Sequence, residues 1–434
     1  MKKQLSCAVA AAAAFALSAC GGGDDCPTGG RGSLDLAVTG LPEGVAAAIT
    51  LRGPEGAERT ATGGGVLSDL ESGPWTVSGD PVAAPGGRVR RAFDVAEPVE
   101  VCVPSDEGTT ASIRYADIPT SARLWTVAQS SAGRFLSFAE SALGATATVS
   151  PSSASFARPE VAGHNGGVAF DKRGNLWAAD ASGSVKRIPA AALGASGTAE
   201  ADIVLTGFGG GIPGPTHLAF DRDGNLWVSL GAAKKVVRLA PDQLVVSGAP
   251  TAAIELSTGD EAPGPLAFDS DGNLWVGTTA RLHRFDAGRL STTLSVPNHS
   301  IEPRTGGASD TSLRGPSALA FDAAGNLWGS FFTPNVIARF TPAERNGTGE
   351  VQVTPGVQLK IAVSALLDGL VFDEDEGLWT PLSGGTFGRL SPAQLAASGS
   401  VTPEIVLTSD QLNSANDLAV FPAPAFTPLF GRLP

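Results

Sequence analysis

The chain has 434 residues, long enough for more than one domain, and its 55 glycines and 31 prolines suit short strands and many turns better than long helices. The formal net charge is −13 and no basic cluster occurs, which excludes nucleic-acid binding, a function that needs an electropositive footprint. An acidic balance of this size otherwise says only that the surface is well solvated.

The chain opens with Lys2 and Lys3 followed by the apolar run CAVAAAAAFAL. This pattern predicts a targeting segment, and the run is too short for a transmembrane helix. It ends Leu17-Ser18-Ala19-Cys20, which resembles the lipobox of bacterial lipoproteins. The resemblance implies that residues 1–19 are a signal peptide removed from the mature chain. Cys20 then carries a lipid, and residues 20–25 form a flexible tether. It also implies a cell-envelope location with the membrane reached only through the lipid. Gly21 after the anchor points to the outer membrane. An ordinary secretory signal with a chance cysteine is the alternative.

Four cysteines are present: Cys7, Cys20, Cys26 and Cys102. Cys7 leaves with the signal and Cys20 is acylated, so Cys26 and Cys102 are expected to pair in an oxidising compartment. Closing such a loop contributes on the order of 4 kcal/mol by chain entropy. A metal site on these cysteines would lack a nearby histidine.

Residues 26–117 alternate apolar and polar positions in short runs such as SLDLAVTGL, AAAITLRGP, VLSDLESGPWTVSGD and RAFDVAEPVEVCVP. Turn signals between them predict a small β-sandwich. The phrase DLESGPWTV resembles a hairpin found in transthyretin-like and PEGA-like folds. That likeness implies a spacer or adhesion module, with Trp75 in its core. The boundary is expected near residues 117–122.

From residue 120 onward the sequence repeats. Six tryptophans follow a leucine, at Trp125, Trp177, Trp227, Trp275, Trp328 and Trp379, with intervals of 52, 50, 48, 53 and 51 residues. Periods of this length indicate a repeat architecture. Around four of them the text is nearly constant: VAFDKRGNLWA, LAFDRDGNLWV, LAFDSDGNLWV and LAFDAAGNLWG. A fifth copy, LVFDEDEGLWT, has lost the Gly-Asn. Each copy predicts a strand, a tight turn whose Gly and Asn accept positive φ, and a second strand opening Leu-Trp. A third strand ends in a basic-apolar pair carrying Arg187, Arg238, Arg284, Arg339 or Arg389. These arginines are expected to lay their stems on a neighbouring blade and pair with acids. A ring of cations facing an anionic ligand is the alternative. A short polar-helical insert follows, clearest at 240–249 and 391–400, and then a fourth strand such as ADIVLT or PEIVLT. Four strands per unit in radial repetition make a β-propeller blade. Trp125 lacks a first strand before it, and NDLAVFP at 416–422 is a first strand with no hairpin after it. The two halves predict an all-β fold: a six-bladed propeller over 120–434, closed by residues 417–421.

The string F-D-x-x-G-N-L-W-V resembles the NHL, gluconolactonase-like and streptogramin B lyase-like superfamily of six-bladed propellers. The resemblance covers about 300 residues, 120–422. It implies a functional site at the top of the central channel, where gluconolactonase-like members hold a divalent cation with Glu, Asn and Asp, and lyase members use a His and a Glu. Neither set is complete here. The residues preceding each first strand should line the channel mouth, and they offer His164, His217, Asp368, Asn416 and Asp417 as candidates. A divalent cation could bind such a ring of oxygens, and a His beside an Asp could serve as a general base. The alternative is that these groups hydrogen-bond loop backbone and line a solvated channel. His283 and His299 are placed on an outer strand and a loop. The F-D-x-D-G-N turn lacks the bidentate glutamate of a calcium loop, so turn chemistry explains it.

The expectation is therefore a lipid-anchored cell-envelope binding or interaction protein presenting a propeller to a protein, peptide or saccharide ligand. The alternative is a lactonase- or lyase-type enzyme acting at the channel mouth. No cofactor is evident beyond that channel cation.

Overall fold

The computed structural model describes residues 26–128, 134–155, 167–180, 183–194, 197, 199–208, 214–293, 296–362, 368–412 and 415–434. Cys20 and the rest of the leader lie outside them, as do His164 and its neighbour Asn165.

Two sheets pack face to face at the front. One has the order Gly65–Glu71, Arg31–Thr39, Gly108–Asp117, Arg91–Val95, Val82–Ala84, and the other Glu58–Ala61, Ala48–Arg52, Gly73–Asp80, Val99–Val103. Alternating residues of both sheets, among them Leu34, Leu51, Val77 and Ile113, meet in one core around Trp75. The Trp75 indole N–H donates to the Glu71 carbonyl at 2.8 Å. Cys26 and Cys102 are disulfide-bonded. The DLESGPWTV hairpin expectation is corrected. Gly65–Glu71 pairs with Arg31–Thr39, whereas Gly73–Asp80 pairs with Ala48–Arg52, so the chain crosses from one sheet to the other at Ser72. Gly73, at φ 139°, permits the turn, and Pro54 packs where its Cβ would be.

Six sheets follow among the described residues, each with four antiparallel strands, and three of them carry a fifth, parallel strand at the outer edge. The blade built from Pro215–Phe220, Leu226–Leu230, Lys235–Leu239 and Ile254–Ser257 represents the set, its strands pairing in chain order. In the first blade the innermost strand comes from the end of the chain. Ala415–Phe421 pairs antiparallel with Arg123–Ala128, Trp125 opposite Ala419. This pairing removes a sheet edge and ties the two ends of the propeller together.

The insert between third and fourth strands is one helical turn, as at Pro241–Leu244 and Pro342–Arg345, followed by an edge strip that the sequence reading did not anticipate. Gly349–Val353 lies parallel on the outer strand of the preceding blade, Gly399–Val401 does the same one blade on, and Ala147–Thr148 covers Ile405–Thr408. Each of these three inserts therefore blankets its neighbour's open edge. His299, expected on a loop, is instead the first residue of the outer strand His299–Pro303 and is fully buried, its Nδ1 2.9 Å from the Gly349 carbonyl.

The repeat's turn works the same way in each intact copy. Asp221 Oδ1 accepts the backbone N–H groups of Asp223 and Asn225 at 3.0 and 2.9 Å, while Asn225 Nδ2 donates to Asp221 Oδ2 at 2.8 Å. The glycine between them has φ 80°. Asp221 Oδ2 also accepts the Trp227 indole N–H at 2.9 Å, and the pairs Trp177–Asp171, Trp275–Asp269, Trp328–Asp322 and Trp379–Asp373 repeat this bond at 2.8–3.1 Å. Trp125, with no such turn before it, donates to the Thr120 carbonyl. The six ladder rings are 1% exposed or less. Four of them meet the phenylalanine of the next blade's first strand edge-on, Trp227 to Phe268 at 6.1 Å being typical.

The recurring arginines sit directly across from these tryptophans, and four guanidinium groups lie 5.7–6.0 Å from the ring centres. Arg187 and Arg284 pair with Asp202 and Asp286. Arg238 and Arg339 depart from the expected acidic partner and donate to the Leu290 and Leu395 carbonyls.

Candidate functional site at the channel mouth

The first strands of the blades line a central channel. Pairing each with its Leu-Trp strand brings one position into register around the mouth: Asp417, Gly167, His217, Pro265, Ala318 and Gly369. The two glycines are there because the strands nearly touch. A Cβ on Gly167 would stand 2.9 Å from the Cα of His217, and one on Gly369 would stand 3.1 Å from the Cα of Asp417.

At this ring Asp417 stitches two blades together. Its Oδ2 accepts the Val168 N–H at 2.9 Å and its Oδ1 accepts the Leu418 N–H at 2.8 Å. Burial pushes its carboxyl up to about 7, against those two bonds and with the help of nearby Asp368. Asp368, just before Gly369, is half-buried and is raised by burial to about 6. His217 reaches across the mouth to the Ser317 carbonyl, its Nε2 3.3 Å away. Burial lowers it to about 4, so it is neutral at pH 7. A carbonyl only accepts, so Nε2 carries the proton and Nδ1 is a bare acceptor, buried and without a partner among the described residues.

Below the ring lies a cavity of about 160 Å³ lined by apolar side chains such as Leu218, Leu266, Leu319 and Leu370. The far end is lined by the chain's own tail, residues 423–431. Phe430 stacks on Phe220 at 5.4 Å and Phe426 packs on Phe372 at 6.2 Å. Two phenylalanines in a proline-rich stretch after the last strand were the available signal. The sandwich holds this tail down. Arg90 donates to the Ala423 carbonyl at 2.9 Å and pairs with Glu374 at 2.7 Å, and the Ala83 N–H donates to the Pro434 carbonyl.

Of the five candidates, the structure brings His217, Asp368 and Asp417 to one mouth. Asn416 lies on the closing strand and His164 lies outside the described residues. His283, on the third strand of its blade, has Nδ1 2.8 Å from Ser300 Oγ, on the outer strand and apart from the channel. No group of three or more His, Cys, Asp or Glu suited to a metal occurs among the described residues.

No family model matches this chain, and no curated protein matches it. Among solved structures it is similar to a streptogramin B lyase, at 14% identity over 79% of this chain and 93% of that one, with a TM-score of 0.36. A catalytically inactive virginiamycin B lyase from Staphylococcus aureus with quinupristin is similar at 13% identity, 81% and 94% coverage, and a TM-score of 0.36. The WD40 propeller domain of Doa1 is similar at 10% identity, 69% and 83% coverage, and a TM-score of 0.44. The propeller architecture itself stands on the strand order and register described above.

Proposed function

We propose that this protein is a lipid-anchored binding protein of the cell envelope that takes its ligand at the mouth of the propeller channel. The carrying observation is the blind apolar cup: leucine-lined walls, a floor made by the protein's own tail, and polar groups gathered at one end. Concave apolar sites with a few convergent polar groups are the usual form of a ligand site. Asp417 is already bonded to two backbone N–H groups, which suits a fixed recognition group. The anchor reading rests on Cys20 and on Cys26 being engaged with Cys102. A Cys20→Ser chain should lose incorporation of a labelled fatty acid and move to the soluble fraction.

Equilibrium binding of the full chain to envelope polysaccharides, peptides and small apolar probes tests the site. One saturable site per chain is expected, lost when Ala320→Trp fills the channel wall. Failure of every probe, together with turnover of a lactone or cyclic ester, would overturn the reading in favour of a lactonase or lyase. One observation favours that second reading. Asp417, raised to about 7, and the bare Nδ1 of His217 have the proton affinities and free lone pair of an acid–base pair. In that case a His217→Ala, Asp417→Asn chain would lose turnover.

A further inference from the structure

The mouth has a chemical bias that narrows the ligand, and this inference rests on the binding reading above. The titratable side chains described there offer acceptors. His217 offers Nδ1, because Nε2–H is spent on the Ser317 carbonyl. Asp417 keeps a free lone pair on each oxygen after its two backbone bonds. Asp368 has no hydrogen-bond or ion-pair partner among the described residues; it is half-buried and precedes Gly369, where an added Cβ would stand 3.1 Å from the Asp417 Cα. His217 and Asp417 are the titratable side chains among the described residues of the cavity wall, and no lysine or arginine is among those residues. The recurring arginines, the natural counter-charges, are held on the tryptophans of the blades instead.

Two neighbouring carboxylates withdrawn from water repel each other and lack hydration; a cation relieves both costs, whereas a neutral hydroxyl can supply one hydrogen bond but leaves the repulsion. Beneath them, the cavity of about 160 Å³ is close to the size at which an apolar protein cavity holds a benzene ring. Phe430 closes the floor and limits the depth to a body of that scale.

We propose that the channel mouth binds a small amphiphile with an ammonium head and a ring-sized apolar body. The head sits between Asp417 and Asp368, with an N–H directed to the His217 acceptor, and the body enters the channel.

Three probes with one body separate the possibilities on the full chain: 2-phenylethylammonium, 2-phenylethanol and phenylacetate, titrated calorimetrically. At pH 8 the ammonium should bind about tenfold or more tighter than the alcohol, one factor of ten being one pK unit of interaction. The advantage should shrink toward pH 5, because the raised carboxyls take up protons there and His217 stays neutral. Binding near pH 6.5 should release protons, read as a dependence of the heat on buffer. Asp368→Asn should lower ammonium affinity more than alcohol affinity, so that the ratio of the two falls toward one. Equal, saturable binding of alcohol and ammonium would overturn the cationic preference and leave the binding site standing. Tightest binding of phenylacetate would overturn it as well. An ammonium preference that survives Asp368→Asn and Asp417→Asn would place the cation elsewhere and overturn this assignment. No saturable binding of any probe would overturn both this inference and the binding reading.

Discussion

The two ends of the propeller channel are built by opposite rules. At the turn end nearly every polar group is answered. Asp, Asn and Trp close the same small network in four blades, and the fifth copy shows how firmly it is required. There Glu376 takes the glycine position at φ 57°, and Gly377 replaces the asparagine. The vacated space is filled by Arg389, whose guanidinium donates to both oxygens of Asp373 at 2.6 and 3.1 Å and pairs with Glu404. The same altered turn seats the sandwich: Arg90 pairs with Glu374, and Arg88 lies 3.8 and 3.5 Å from Asp373 and Asp375. At the mouth end the corresponding positions do not repeat, two carboxyls are pushed upward, and a histidine nitrogen is left bare. Closed hydrogen-bond networks are concentrated where residues recur, and perturbed titratable groups where they do not.

The contrast can be broken in order of expected effect. Removing residues 415–434 takes away the closing strand and the channel floor together. The remaining propeller should lose its cooperative thermal transition, and a truncated chain melting like its parent would refute closure at this point. Next comes the turn end. Trp227→Ala should cost about 3–5 kcal/mol in denaturant unfolding, as large buried aromatics do. Arg389→Ala should cost a similar amount, about 3–5 kcal/mol, because buried Asp373 would lose its bidentate partner and keep only Arg88 at 3.8 Å as a counter-charge. A cost below about 1 kcal/mol for either would mean the turn network is dispensable. Restoring the common asparagine by Gly377→Asn should destabilise by about 1–3 kcal/mol. A Cβ there would come 2.2 Å from the Arg389 guanidinium carbon, so a gain in stability would show that blade to be merely an eroded copy.

The smallest stability effect belongs to the mouth. Asp368→Asn should shift stability at pH 4, where the folded carboxyl is still protonated, by no more than about 0.5 kcal/mol. The folded carboxyl titrates at about 6 against an ordinary 3.8, so between those values the folded chain holds a proton that the unfolded chain has released. Parent stability should therefore fall as pH rises through this window, and the variant should show less of that fall and be the more stable chain at pH 8. Unfolding at pH 4, 6 and 8 checks it. A variant whose profile parallels the parent would show that Asp368 is solvated like an ordinary surface acid.

Much of the scaffold was legible because its signals are local. The Asp-Gly-Asn turn, the Leu-Trp strand that follows and the missing first strand before Trp125 are all read within a few residues of chain. His299 was misplaced because its strand departs from the repeated text, and the DLESGPWTV segment because a hairpin and a sheet-to-sheet crossover share the same alternation. The partners of Arg238 and Arg339 come from the next blades' inserts, which no local pattern encodes.

The sequence by itself determined the repeat, its turn chemistry and the pairing of the first and last strands, since each follows from backbone preference and period. Only the tertiary structure decided what the channel is. It turned the tail into a floor, set the arginines on the tryptophans, and carried His217 across to Ser317 while drawing Asp368 beside Asp417. These contacts join residues up to hundreds of positions apart, and their consequence, a lowered histidine and two raised carboxyls, comes from burial, which has no signature in a single stretch of chain.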